Sequence, residues 1–263
     1  MHFLDAVYQW FAQGANWHGT TGIPQLFLRQ LELSVAVVVA ALVVGGGLGL
    51  VFGHTGRGAL VAVNAGNAAR AIPTLALLTL FAIEPGISLR WGGFLASFLA
   101  LLILAIPPIL TNTYVGIREV DADVRDAAKG MGMHGTQIVR RVEAPLAAPV
   151  VLAGVRTAAI EVVATSTLAA YVSYSDLGTY VIAGLDTNDT VEAFCGAVLV
   201  AVMAAVVAVV FGLLLRAVTP EPLRRSRPRT TLVPGVAPQD GRRAATTAME
   251  AESSRSHGFV AQI

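Results

Sequence analysis

The sequence predicts an all-α membrane protein whose five helices cross the bilayer as a bundle. Hydrophobic residues make up 55% of the 263 residues and charged residues only 13%, whereas a soluble domain carries about 25% charged residues. Mean hydropathy is +0.66. Five segments are apolar over the roughly 20 residues that a helix needs to cross hydrocarbon. Basic residues alternate between the connecting loops, as expected for successive crossings.

The second of the five spans has the weakest signal, because it carries Arg70 near its start and Pro73 inside. Proline in a membrane helix kinks it and is tolerated where neighbouring groups satisfy the freed carbonyl. Pro73 with Arg70 therefore indicates either a kink near a gate or an arginine reaching the cytoplasmic headgroups, and we favour the second for Arg70. The predicted spans are 31–52, 60–83, 93–115, 148–171 and 193–217.

Positive charge in the loops predicts the orientation, since cytoplasmic loops are enriched in Lys and Arg. The loop after the third span and the tail after the fifth are the most basic regions. The loop 172–192 has no basic residue and contains three aspartates and a glutamate. We therefore expect the N-terminus outside, the C-terminus in the cytoplasm and five crossings between them.

Both ends of the chain lie outside the predicted bundle of residues 31–218. Residues 1–30 are rich in aromatic side chains, which favour the membrane interface, and are predicted to form an extracytoplasmic segment with a short surface helix. An ordered leader without a function is the alternative. Residues 219–263 mix Pro, Arg, Ser and Thr without periodicity. They are predicted to be a disordered cytoplasmic tail whose basic start contacts anionic lipid.

The loop 118–147, between the third and fourth spans, has a helical pattern of its own. Asp121 is a candidate N-cap, and apolar residues then recur at helical spacing. Glycines at 130, 132 and 135 interrupt this helix, and a second short helix is predicted from about Thr136 to Val142. Pro145 would begin the fourth span. The apolar stripe is Val120, Val124, Ala127, Ala128 and Met131.

This loop resembles the coupling loop of the permease subunits of binding-protein-dependent ABC importers. That family's pattern is Glu-Ala-Ala, three residues, Gly, nine residues and Ile-x-Leu-Pro. Here Asp replaces Glu, Val replaces Ile and Ala144 replaces Leu. The resemblance implies a type I importer permease whose loop is a coupling helix on a separate ATPase. An ordinary amphipathic loop helix is the alternative. The matching residues are Asp126, Ala127, Ala128, Gly132, Val142 and Pro145.

Further segments are similar to the osmoprotectant branch, which imports glycine betaine, choline, carnitine and related quaternary ammonium compounds; methionine importer permeases are the nearest rival. The chain departs from that branch at 173–178, at Ala122 and at Glu161. The similarity implies an ATP-binding subunit dimer, a second permease subunit, identical or paralogous, and an extracytoplasmic substrate-binding protein in a bacterial plasma membrane. The similar segments are 53–58, 70–78, 112–117, 129–133 and 165–170.

Glu161, near the middle of the fourth span, is the strongest candidate for the translocation path, with Pro73 as the second. A carboxylate at mid-membrane costs roughly 2.5–3.5 kcal/mol on insertion scales and normally faces the bundle interior. Glu161 is therefore interpreted either as a pore-lining group that favours a cationic solute or as a structural group. The structural readings are a hydrogen bond to Ser, Thr or Arg156, or a protonated acid.

Enzymatic function is not expected from this sequence. The only lysine, Lys129, does not stand in a P-loop pattern, so the resemblance implies that ATP is bound by the partner and that this chain has no cofactor. The five histidines and Cys195 show no metal-ligand spacing, and no nucleic-acid partner is expected. An ion-driven secondary transporter remains an alternative, although five spans without a repeat do not favour it. A membrane-embedded enzyme would need clustered catalytic residues.

Overall fold

A computed structural model describes residues 2–58, 64, 71, 73–84, 86, 93–172 and 174–218. These residues form ten α-helices, two 3-10 segments and two π-helical segments. The α-helices are α1 His2–Ala12, α2 Ile23–Ala41, α3 Gly47–Thr55, α4 Thr74–Ile83, α5 Gly93–Arg118, α6 Ala122–Gly130, α7 Gly135–Ile138, α8 Ala144–Thr165, α9 Gly178–Asp186 and α10 Thr190–Val218. The 3-10 segments are Gly14–Trp17 and Ser166–Val172, and the π segments are Leu42–Gly46 and Val139–Glu143.

Four helical stretches of the described chain are long and apolar enough to cross a membrane. They correspond to the first, third, fourth and fifth predicted spans, with longer bounds: Ile23–Thr55, Gly93–Arg118, Gly135–Val172 and Thr190–Val218. The second predicted span is represented by α4, which has ten residues. Arg70 and most of 59–72 lie outside the described residues, as does the predicted tail 219–263. The count of five spans therefore stays a prediction.

Pro73 interrupts the helical backbone of the second predicted span, since Ala71 is helical, Pro73 is not, and α4 begins at Thr74. Its backbone is extended, with φ −64° and ψ 114°, and it immediately precedes α4. A proline is tolerated here because the first turn of a helix leaves its N–H groups without intrahelical partners. Pro73 therefore marks the start of a helix.

The first span packs closely on α5 through glycines. A Cβ atom added to Gly45 would lie 2.8 Å from the carbonyl oxygen of Ile106, and one on Gly49 would lie 2.6 Å from Cβ of Thr113. One on Gly53 would lie 2.6 Å from Cβ of Ile117. Glycines allow two backbones to approach, which strengthens the van der Waals contacts that hold membrane helices together. Glycine at 45, 49 and 53 therefore lets the first span approach α5 closely.

Helices α5 and α8 form the centre of the bundle in the same way. A Cβ atom on Gly154 would lie 2.6 Å from Cβ of Asn112, whose side chain is turned back onto the carbonyl oxygen of Pro108 at 2.8 Å. Around this contact, buried side chains of α2, α5 and α8 interdigitate into one core. Its members include Leu33, Val37, Leu101, Ala105, Ile109, Val155, Ala158 and Val162.

The fourth span begins earlier than the sequence predicted. Helix α7, the π segment Val139–Glu143, α8 and the 3-10 segment Ser166–Val172 form one continuous stretch from Gly135 to Val172. The helix predicted from about Thr136 to Val142 is therefore present, but it continues into the fourth span without a break. Pro145 lies in the first turn of α8, and the π turn before it keeps the chain helical across the junction.

The two ends of the bundle carry different elements. At one end α1 packs on α9 and α10, through ring contacts of 5.1 Å between Trp10 and Tyr180 and 5.3 Å between Phe3 and Phe194. At the other end the loop containing α6 and α7 meets the end of α3, where His54 contacts Glu143. The N-terminal segment and the loop 172–192 therefore share one end of the bundle, as the charge pattern predicted.

Candidate functional site

The loop between α5 and α8 begins with a capped helix. The Asp121 side chain accepts a hydrogen bond from the Asp123 backbone N–H at 2.9 Å, which confirms Asp121 as the N-cap of α6. Asp123 lies in the first turn and Lys129 in the last, where each charge opposes the nearer pole of the helix dipole. Helix α6 is therefore stabilised locally, before any contact with a partner.

Gly132 ends α6 in a Schellman motif, which explains its spacing from Ala128. Its φ is +81°, a conformation that glycine adopts without strain. The N–H of Met133 donates to the carbonyl of Ala128 at 3.2 Å, and the N–H of Gly132 donates to that of Lys129 at 2.9 Å. These two bonds satisfy carbonyls that the helix end would leave unpaired. The motif thus needs glycine four residues after the second alanine.

The apolar stripe of α6 divides into a buried and an exposed side. Val120 and Ala128 are 7% and 1% exposed, but Val124 and Met131 are 42% and 71% exposed. Ala127 is also exposed and lies between those two along the helix. The predicted apolar stripe is therefore divided between the interior of the loop and its surface. The exposed side, which we call the α6 apolar face, comprises Val124, Ala127 and Met131.

Asp126 is fully exposed and paired with Lys129 on the same helix. Lys129 Nζ lies 2.8 Å from Oδ1 of Asp126, and this hydrogen bond, with the lysine charge, lowers the pKa of the Asp126 carboxyl. Exposed pairs of this kind contribute little to stability. The acidic residue therefore presents charge beside the α6 apolar face.

On the other side of the loop, Val142 is half-buried and Pro145 is exposed. The π segment also contains Glu143, which was not predicted from the sequence. Glu143 is 1% exposed, and its Oε2 lies 2.8 Å from His54 Nδ1. Its Oε1 lies 3.9 Å from Arg125 Nη1. The available signal was that Glu143 is the only acid between Asp126 and Glu161.

The candidates for the translocation path lie elsewhere in the bundle. Glu161 is half-buried in α8, one turn before the 3-10 segment Ser166–Val172. Helix α4, which follows Pro73, packs against that segment through Leu78 and Val172. The candidate residues of the loop 118–147 therefore lie together at one end of the bundle, and Glu161 lies away from them. Among the described residues no group of three His, Cys, Asp or Glu side chains is placed to hold a metal ion.

At the opposite end a second buried acid lies immediately before α9. Asp176 is 0% exposed, and its Oδ1 accepts a hydrogen bond from the Gly178 N–H at 2.8 Å. Its backbone N–H donates to Oγ1 of Thr179 at 3.2 Å. Burial raises the pKa of Asp176 to about 7, although the bond from Gly178 lowers it. Nearby, the Tyr174 hydroxyl donates to the carbonyl of Arg29 at 2.8 Å and joins α2 to this turn.

Comparison with known proteins gives a consistent result. The family model described as "Binding-protein-dependent transport system inner membrane component" matches residues 41–223. The choline transport system permease protein OpuBB of Bacillus subtilis is 34% identical over 197 residues, which cover 75% of this chain and 88% of that protein. The carnitine transport permease protein OpuCB of Listeria monocytogenes is 31% identical over 224 residues, covering 85% and 98%.

A solved structure shares the fold at lower sequence identity. An inward-facing structure of the MetNI methionine ABC transporter superposes with a TM-score of 0.64 and 22% identity, and the match covers 75% of this chain and 96% of that one. The glycine betaine/carnitine/choline permease protein OpuCB of Bacillus subtilis is 34% identical over 196 residues, covering 74% and 88%. The curated relatives are thus nearer in sequence than the solved structure.

The raised pKa of Asp176 predicts that the free energy of unfolding decreases as the pH rises. Its pKa rises from 3.8 to about 7 on folding, so the folded chain binds this proton more tightly than the unfolded chain does. The stabilisation is complete below about pH 4 and is lost as pH rises through 7. Ionisation costs at most on the order of 4 kcal/mol, at about 1.4 kcal/mol per pKa unit. We expect the Tm of Asp176→Asn, which keeps the accepting oxygen, to fall less between pH 5 and pH 8.

The measurement is thermal unfolding of the purified protein in detergent at both pH values. Asp186→Asn, an exposed acid in α9, is the matched control and should follow the native chain. An Asp176→Asn variant with the native pH dependence would contradict this assignment.

Proposed function

Because the chain belongs to the binding-protein-dependent transport system inner membrane components, we propose that it is the permease subunit of an ATP-driven importer for glycine betaine, choline or related quaternary ammonium osmoprotectants. Members of this family are membrane transport subunits that work with an ATPase and a substrate-binding protein. The proposed substrate rests on the relatives named for choline, carnitine and glycine betaine, which are 31–34% identical over most of the chain.

A methionine-type importer is the second candidate, because the solved transporter with this fold is a methionine transporter. At 22% identity that likeness concerns the fold alone. The relatives named for quaternary ammonium solutes are nearer in sequence and therefore favour the osmoprotectant reading.

The loop 118–147 is proposed to be the coupling element. Its support is the α6 apolar face, since Val124 and Met131 are exposed beside an acidic side chain on a locally capped helix. A helix end of this kind fits a groove on a partner protein. In this proposal the groove belongs to the ATP-binding subunit dimer, and its closure on ATP displaces α6. Asp126, Ala127, Ala128, Gly132, Val142 and Pro145 form or position the surface that it contacts.

The remaining architecture is proposed on the same basis. Five spans place the N-terminus outside and the C-terminus in the cytoplasm, with the loop 172–192 facing the extracytoplasmic binding protein. Two permease subunits form the path at their interface. The absence of a P-loop sequence supports a chain that does not bind ATP itself and relies on its partner for energy.

Uptake of labelled glycine betaine and choline tests the substrate. Cells that express the whole system should accumulate both solutes, and cells lacking only this chain should not, in a host without other osmoprotectant importers. Excess unlabelled methionine should not compete. Uptake that persists without the chain, or that methionine abolishes, would contradict the osmoprotectant assignment.

Gly132→Val tests the coupling loop. A β-branched residue at φ +81° is strained by roughly 1–2 kcal/mol and would disrupt the Schellman end of α6, although open space surrounds the site. We expect fewer solute molecules transported per ATP hydrolysed. Gly132→Asn is the control, because asparagine tolerates the left-handed conformation. An unchanged transport-to-hydrolysis ratio in the valine variant would count against the coupling role.

Glu161→Gln tests the translocation path, for which we propose Glu161 as a pore-lining group and Pro73 as the start of a path-lining helix. Removing the charge should reduce uptake of choline, a cation, more than uptake of zwitterionic glycine betaine. Competition between the two labelled solutes measures this preference. A ratio of choline uptake to glycine betaine uptake that is the same in the variant and in the native chain would contradict the pore-lining role.

A further inference from the structure

Glu143 occupies a position between three helices that the coupling motif does not explain. It lies in the π segment before α8, its Oε2 contacts His54 at the end of α3, and its Oε1 faces Arg125 of α6. Gly135 lies beside the other side of the His54 ring, since a Cβ atom added to Gly135 would be 3.3 Å from Nε2. The carboxylate thus connects the first span, the fourth span and α6.

Its two contacts differ in length. The 2.8 Å separation from His54 Nδ1 is a hydrogen bond, whereas 3.9 Å to Arg125 Nη1 exceeds the usual N–H···O range of about 2.7–3.2 Å. Arg125 instead donates through Nη2 to the carbonyl of Val120 at 3.0 Å. Among the described groups, Oε1 of Glu143 has no hydrogen-bond donor. A displacement of α6 by about 1 Å would bring Arg125 within hydrogen-bond distance.

A buried carboxylate is costly unless it is paired, so Glu143 must keep a partner while the loop moves. Its partner His54 belongs to a helix that cannot move alone, because Gly49 and Gly53 of α3 pack directly on Thr113 and Ile117 of α5. A force on His54 is therefore transmitted to α3 and α5 together.

We propose that Glu143 is a positioning residue that carries displacement of α6 to the first span, through a constant bond to His54 and a variable contact with Arg125. This inference rests on the proposed coupling role of the loop. It assigns the cytoplasmic end of the first span a direct part in the response to the ATPase, beside the covalent connection from the loop to α8.

Pulsed electron spin distance measurements test the transmission without knowledge of the solute. Spin labels at the exposed positions Thr55 and Ala122, in a Cys195→Ala background, report the separation of α3 and α6. The whole complex in nanodiscs is measured without nucleotide and with a non-hydrolysable ATP analogue. We expect the native separation to change little, because α3 follows α6, and to change more in Glu143→Gln and in His54→Gln.

The ratio of transport to ATP hydrolysis gives a second readout. Each single variant should lower it by roughly fivefold or more, the scale of a coupling between sites, and the double variant should lose no more than a single one. Glu119→Gln, which removes an exposed acid at the end of α5, should leave the ratio and the distances native. Glu143→Asp should restore part of the ratio.

Distances in Glu143→Gln and His54→Gln that match the native chain in both nucleotide states would overturn the proposal, as would additive losses in the double variant. His54 is 32% exposed in its side chain, so His54→Gln keeps the test valid if Glu143→Gln does not fold. Failure of glycine betaine uptake by the native chain would contradict the proposed substrate alone. A native transport-to-hydrolysis ratio in Gly132→Val would contradict the coupling role of the loop, on which this proposal rests.

Discussion

Close backbone contact between α3, α5 and α8 is the constraint on which the rest of the described bundle depends. Inside a bilayer, burying apolar side chains between helices gains little over lipid contact, so association relies on van der Waals packing. Gly49, Gly53 and Gly154 provide it, because no Cβ atom separates their backbones from Thr113, Ile117 and Asn112. The three helices therefore behave as one body, and the loop from α5 to α8 is anchored at both ends to it.

Polar side chains at the two ends of this body have a different role. Gln30 is fully buried and donates to the carbonyl of Val163 at 3.0 Å, where α8 passes into 3-10 geometry. Asp176 accepts the Gly178 N–H at the start of α9 near the same end, and Glu143 pairs with His54 at the other. Buried polar groups are costly without partners, so each of them restricts how neighbouring helices can shift.

The loop itself combines a rigid and an exposed side. Asp121 and Gly132 terminate α6 with hydrogen bonds that need no tertiary contact, while Val120 and Ala128 pack inward. Val124 and Met131 remain exposed in a chain whose other exposed apolar residues lie largely on spans. An exposed apolar face outside the membrane is typical of a surface that binds a protein, which is the basis for proposing it as the contact with the ATP-binding subunit.

The sequence alone determined the membrane class, the four described spans, the N-cap of α6 and the family motif, because composition, hydrophobic run length and short-range spacing decide these features locally. Only the tertiary structure decided which side of α6 is buried, that α7 runs continuously into α8, and that Pro73 begins a helix. It also placed Glu143 against His54, 89 residues away along the chain. Such contacts depend on how distant helices pack, and spacing along the chain does not identify which residues meet.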